Sequence, residues 1–399
     1  MSTELEALSK VNFNWTRSLE SVWTATDLTV DPNNALADEM VKDLHHATQL
    51  ATEKPPGRVV VGQAGIGKTH LVGDLRRKMW DKGGWFVLLD VIGITDFWKS
   101  AALSFLTSLL QEMPDGRRQY EAVLAGAARR LNVETQVEAA FSIPKIDAKR
   151  IVDLLIPGLM KINTPKALQH QDVFRALSLL RSHDFAAVGV AHSWLQGYDA
   201  DEEARKALGL LNPPPVPVEL ARGMSWVMSI AGPTMIAVDQ IDGVITSGSV
   251  MIRANDFTET KSVADLLAAG LLQLFYVASR SQTVVTCLYE SWKEMEQGLK
   301  SARDRFQTPP IVLRGMSGAT AIGELISGRL GPAYAVVGLK PDYPTWPFAP
   351  AALVSAEGMM PRSILMQCDL FRRHCLEIGR VDLQLCPMHQ VPLSSLHRL

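Results

Sequence analysis

Along the 399-residue chain the spacing of apolar residues changes several times, and each change marks a structural boundary. Residues 1–54 are expected to be helical, with a break at 29–32 (TVDP). In the second helix, 33–52, Leu36, Met40, Leu44 and Ala47 share one face, and Asn33 or Asn34 is placed to cap it. Lys54-Pro55-Pro56-Gly57 then ends the helix and opens a β-branched run, Val59-Val60-Val61. Helical spacing returns over 69–80. The unbroken apolar run 85–92 (WFVLLDVI) has the character of a strand buried on both faces of a parallel sheet.

From 96 to about 232 the spacing is helical, over 97–110, 120–131, 148–159, 171–181, 187–196 and 202–208. Pro144, Pro157 and Pro165 interrupt these helices, and the run Pro213-Pro214-Pro215-Val216-Pro217 marks the exit from a large helical insertion. Strand character resumes at 234–239 (TMIAVD), followed by a polar loop, a buried helix over 264–278, and strands at 283–288 and 311–314. A helical C-terminal part follows, broken by a Pro-rich loop at 339–350. Strands alternating with helices predict an α/β fold with a parallel sheet and ligand at its carboxyl edge. The expected division is an N-terminal helical segment (1–54), a core (55–95 with 233–314), an insertion (96–232), and a helical lid with tail (315–399).

Composition narrows the class without choosing a partner. An apolar fraction of 47% with 21% charged residues is that of an ordinary soluble globular chain, and a net charge of −2 gives no bulk pull toward nucleic acid or acidic membranes. The start, MSTELEALSK, lacks the pattern of a signal peptide. The most apolar segment, 264–278, contains Asp265 and Gln273 and is too short to span a bilayer, so a cytoplasmic chain with no membrane partner is expected. Locally, Arg129, Arg130, Lys145, Lys149, Arg150 and Lys161 give the insertion a candidate basic face for nucleic acid, with a solvated helical surface as the simpler account. Four scattered cysteines (Cys287, Cys368, Cys375, Cys386) do not make a disulfide framework. The last three, even with His374 and His389, lack the paired spacing of a zinc site and are expected to be buried or incidental thiols.

The chemistry concentrates at Gly62-Gln63-Ala64-Gly65-Ile66-Gly67-Lys68-Thr69, which is G-x-x-x-x-G-K-[ST] set between a strand and a helix. Gly62, Gly65 and Gly67 let the backbone take positive φ close to a polyphosphate, and successive N–H groups form an anion nest at a helix N-terminus. Lys68 is expected to reach the β- and γ-phosphates and the Thr69 hydroxyl to coordinate Mg²⁺, with His70 closing the nucleotide-binding stretch. By chance this pattern would occur in roughly one chain in a hundred of this length. ATP and Mg²⁺ are the expected cofactors.

A second candidate is the apolar strand ending in Asp239, a carboxylate suited to hold Mg²⁺ from the end of a neighbouring strand. Gln240 follows where a glutamate base would be useful, and an amide can position water without taking its proton. Either Asp242 supplies that carboxylate, or hydrolysis is slow and the chain is an ATP-controlled switch. Asp242 before Gly243 also suits a plain turn.

The order of glycine loop, acid-ended strand, Thr286-bearing strand and Arg303-Asp304-Arg305-Phe306 before a fifth strand resembles an AAA+ ATPase or a STAND-type relative. The resemblance covers roughly 35–95 and 233–380. It implies that Thr286 senses the γ-phosphate and that Arg305, or else Arg303, acts as a finger across a subunit interface. Gly358-Met359-Met360-Pro361-Arg362 is similar to the G-x-P-R lid motif, with one extra residue, which implies that Arg362 contacts the phosphates. The D-Q-x-D strand end and His192-Ser193-Trp194-Leu195-Gln196-Gly197, followed by acidic residues and Ala207-Leu208-Gly209-Leu210, are similar to ATP-binding subunits of bacterial anti-phage systems of the BREX and phage-growth-limitation kind. What these resemblances imply is an oligomer, or a subunit of a multi-protein system, that hydrolyses ATP to assemble or remodel a partner. A slow signalling switch and a DNA-loading helper are the alternatives.

Overall fold

A computed structural model describes residues 2–14, 19–24, 33–49, 54–92, 94–142, 146–245, 249–254, 257–298, 304–381 and 383. The expected break at 29–32, Pro144, Lys145, Arg303, Cys386 and His389 lie outside the described residues.

Two helices, α1 (Thr3–Lys10) and α2 (Asn34–Gln49), precede β1 (Arg58–Val61), α3 (Lys68–Asp81) and β2 (Trp85–Leu89). A helical stretch follows: α4 (Phe97–Leu109), α5 (Gln119–Arg130), α6 (Glu134–Phe141), α7 (Ala148–Leu179), α8 (Phe185–Leu195), α9 (Glu202–Ala207) and α10 (Pro217–Ala231). Then come β3 (Thr234–Val238), α11 (Ile241–Ile245), β4 (Ser249–Ala254), β5 (Phe257–Ser262), α12 (Val263–Val277), β6 (Ser281–Cys287), α13 (Tyr289–Gly298) and β7 (Ile311–Val312). The chain closes with α14 (Ala319–Val337), α15 (Pro350–Ser355) and α16 (Pro361–Ile378). The fold is α/β, as the alternation predicts.

Five strands form one sheet in the order β2-β3-β6-β1-β7. The pairs are parallel where register is defined: Trp85 faces Thr234 through Leu89 facing Val238, and Thr234 faces Ser281 through Val238 facing Val285. Every residue of β2, β3 and β6 is buried, as parallel strands covered on both faces must be. The sequence places the acid-ended strand beside the glycine-loop strand. In the structure β6 stands between them, so the Thr286 strand is the inner neighbour of both.

Chain topology divides into two compact units, 1–39 with 61–74 and 312–399, and 40–60 with 75–311. In the first, α1 shares a core with the C-terminal helices: Leu5, Leu8 and Phe13 pack with Ile322, Leu330, Phe348, Ile364 and Phe371. Cys368 and Cys375 are fully buried members of that core, acting as small apolar side chains.

In the second unit the helical stretch covers the free edge of β2. Gln119, fully buried, donates to Phe86 O and Ser108 O (both 2.9 Å) and accepts from Phe86 N (2.9 Å) and Trp80 Nε1 (2.7 Å). Ser108 Oγ and Ser104 Oγ accept from Leu88 N and Asp90 N at 3.1 and 2.9 Å. Side chains thus satisfy an edge that would otherwise expose a row of unpaired backbone groups.

The spacing finds most of these helices, and the structure corrects several details. Helices α6 and α10 have no counterpart in the expected set. The Pro run does not lead out of helix: Pro217 is the first residue of α10, where its missing N–H costs nothing. The helices expected over 148–159 and 171–181 belong to one long run through Pro157, broken only at Asn163 (φ −162°, ψ 100°). Asn163 Oδ1 restarts the helix by accepting from Lys166 N at 3.0 Å, and Pro165 falls in the first turn after that restart, where its missing N–H costs no helical bond. The polar loop after the acid strand is instead α11 and an antiparallel pair, β4 and β5, with Ser249 facing Ser262 and Ala254 facing Phe257. Alternation within that pair is too mixed in polarity to stand out as strand.

Candidate functional site

The glycine loop begins where β1 ends. Gly65 and Gly67 take φ of +86° and +109°, a region costly for any side chain, and α3 starts at Lys68. Ile66 N donates to Gln63 O (3.3 Å) and Leu71 N to Gly67 O (2.9 Å), so the turn closes directly into the helix. Gln63 and Ala64 are exposed, while Ile66 is buried and anchors the loop. Lys68 Nζ folds back onto Gly62 O at 2.7 Å. Thr69 and His70 follow in the first turn of α3, half-buried.

The same unit brings two further residues to the loop. Asn33 lies beside Gly67: a Cβ there would be in ordinary contact, 3.5 Å from its Nδ2. The sequence marks Asn33 only as a helix cap, and nothing local in it signals the loop. Arg362, second residue of α16 after Pro361, donates its backbone N–H to Gly65 O at 3.3 Å. A Cβ on Gly65 would come within 2.7 Å of Arg362 Cβ. The Arg362 Nε is buried without a hydrogen-bond partner among the described residues. An orphaned guanidinium N–H beside a positive-φ glycine turn is placed to donate to an anionic ligand such as a phosphate. Gly358 N and Met316 O (2.8 Å), with Met316 N and Met359 O (2.9 Å), hold the turn that leads to Pro361.

In the other unit, Asp239 follows β3 and is 1% exposed. Thr286, on the adjacent strand β6, donates its hydroxyl to Asp239 Oδ1. Gln240 sits at φ +61°, a conformation rare outside glycine and asparagine. That kink turns the chain into α11, where Asp242 Oδ1 accepts from Leu288 N at 2.7 Å. Both acids therefore grip β6 or its exit, and Gln240 lies between them under backbone strain, which gathers at functional turns.

Arg305 lies just before β7 and donates through Nε to the Tyr276 hydroxyl at 2.8 Å. Among the basic residues of the helical stretch, Arg129 is paired with Glu134 at 2.7 Å, while Arg130, Lys149, Arg150 and Lys161 are exposed. Among the described residues no helix is long and apolar enough to cross a membrane.

No protein-family model matches the chain, and a search of curated proteins returned no match. Among solved structures it is similar to the ORC2 protein of Aeropyrum pernix in its ADPNP–ADP complexes, at 9% identity and a TM-score of 0.40, covering 92% of this chain and 71% of that one. The ADP form of the same protein gives 9% identity and 0.42, over 92% and 70%. Cdc6p from Pyrobaculum aerophilum gives 12% identity and 0.32, over 91% and 68%. The α/β class follows from the sheet order and the strand-to-helix glycine loop.

Proposed function

We propose that this chain is a Mg²⁺-dependent ATPase of the AAA+ kind that couples nucleotide state to the assembly or remodelling of a partner. The observation that carries the reading is the glycine turn itself: Gly65 and Gly67 at positive φ, leading from a sheet strand into a helix at Lys68, with the unpartnered Arg362 Nε beside it. Amides of 65–69 and the Lys68 ammonium bind phosphate oxygens, and Arg362 adds a charge-assisted donor. Thr69 and Asp239 are the residues proposed to hold Mg²⁺, which would supply charge neutralisation to a bound triphosphate. Thr286 fixes the orientation of the Asp239 carboxylate, and Gln240 positions water. Arg305 acts on nucleotide bound by a neighbouring copy.

Calorimetry with Mg²⁺-ATP tests the core of this. Lys68→Ala is expected to abolish binding, and unchanged affinity would refute the phosphate-loop assignment. ATP turnover measured against protein concentration, with and without DNA, tests the rest. Specific activity rising with concentration supports interface catalysis, and a rise with DNA supports the loading-helper alternative, for which the exposed Arg130, Lys149, Arg150 and Lys161 are the candidate contacts.

A slow switch is the second reading, favoured by Gln240 in the base position and by Asp242, whose carboxylate is engaged by Leu288 N. Flat, slow turnover at all concentrations would select it. The anti-phage role rests on the short stretches 192–197, with the acidic residues and 207–210 that follow, and 239–242. Its test is plaque formation on cells carrying the system with wild-type or Lys68→Ala protein, where equal plating would remove it.

A further inference from the structure

The segment before β7 is pinned against the entry to β1. Gly57 N donates to Arg305 O and Gln307 N to Gly57 O, both at 2.8 Å, and Gly57 bridges to Phe306. Phe306 turns inward, 6% exposed, with its ring 5.3 Å from that of Trp292. Arg305, in the turn just ahead of it, lies half-buried against α12. There its guanidinium rests over two rings of α12, 5.7 Å from the Phe275 centroid and 5.3 Å from that of Tyr276, while Nε donates to the Tyr276 hydroxyl. Tyr276 is 63% exposed.

Two features separate this arrangement from a surface ion pair. A phenol and two π-faces hold the guanidinium without neutralising it, and no carboxylate pairs with Arg305 among the described residues. They also restrain a side chain that would otherwise lose rotamer freedom when it engaged an anion. An oriented, un-neutralised guanidinium beside an exposed tyrosine is arranged to meet negative charge from outside the chain.

We propose that Tyr276 is a positioning residue: its hydroxyl holds the Arg305 guanidinium extended toward the phosphates of a nucleotide bound by a second copy of this chain. This rests on the reading of Arg305 as an interface finger. Removing the hydroxyl frees the guanidinium to rotate while leaving both rings beneath it. The loss falls on turnover, since misorientation weakens the interaction with the transition state more than ground-state binding.

The test is steady-state ATP turnover of wild type, Tyr276→Phe, Arg305→Ala and the double variant, at protein concentrations where specific activity has levelled. Tyr276→Phe is expected to lower kcat about fivefold with KM and the ATP dissociation constant unchanged. Thermal unfolding should match wild type, because the ring stays in place. The double variant should be no slower than Arg305→Ala alone. Wild-type kcat in Tyr276→Phe beside an impaired Arg305→Ala overturns the positioning role and leaves the finger standing, as do effects that multiply in the double. Full turnover in Arg305→Ala removes the finger itself, and the proposal with it.

Discussion

The turn after β1 and the turn after β3 both follow buried strands of one sheet, and they are built in opposite ways. The first works with backbone: consecutive residues 62–69, two glycines at positive φ, and amides aimed by the start of a helix. The second works with buried side chains: Asp239 is held by Thr286, 47 positions away, and Asp242 holds Leu288, 46 positions away. A site made of amides tolerates change in its side chains but not in its glycines. One made of carboxylates depends on which oxygen is already occupied.

The largest expected effect separates binding from chemistry. Asp239→Asn is expected to cut ATP turnover by about 10³-fold or more by replacing the charge available to Mg²⁺ with a neutral amide. Binding of ATP in the absence of Mg²⁺ should persist. Turnover near wild type would break the assignment of Asp239 as a metal ligand.

Next is the glycine loop. Gly65→Ala places a Cβ 2.7 Å from Arg362 Cβ at φ +86°, costing roughly 1–2 kcal/mol for the backbone alone. ATP affinity should fall about tenfold or more by calorimetry. An alanine variant that binds normally would mean that the loop, unlike the acid turn, can rebuild itself.

The same contrast explains what was legible in the sequence. A backbone site is written in consecutive letters, so the glycine loop and its flanking strand and helix stand out. Asp239 is visible as the polar end of an apolar strand, but the strand between it and β1 is not, because strand order depends on crossovers that no local pattern encodes. Arg362 is placed only through a resemblance, and its contact with Gly65 spans nearly 300 positions. Gln119 and Tyr276 carry no local signal. A glutamine in an amphipathic helix looks like any surface amide until the edge of β2 is laid against it.

Thr286→Val sharpens the comparison at a smaller scale. The exchange of hydroxyl for methyl removes the donor to Asp239 at nearly unchanged size in a fully buried strand position. Residues that orient a metal ligand are worth about 10–100-fold in metal affinity, so the Mg²⁺ concentration for half-maximal turnover should rise by about tenfold. A fall in turnover that excess Mg²⁺ does not restore would place Thr286 on the nucleotide instead.

The smallest effect is expected at Asp242. Its Oδ1 is engaged by Leu288 N at 2.7 Å, a bond that an asparagine carbonyl can also accept. If the residue holds the exit of β6, Asp242→Asn should leave turnover within about twofold of wild type, while Asp242→Ala, which strands a backbone N–H, should lower the melting temperature through the loss of about 1–3 kcal/mol. A general base behaves otherwise, because the amide cannot take a proton and the asparagine variant would then be as slow as the alanine one. The pH profile separates the two roles again: a structural Asp242 leaves the acid limb of turnover unmoved on conversion to Asn, whereas a base takes that limb away. Measuring kcat for the two variants across pH thus decides whether the second turn contains one working carboxylate or two.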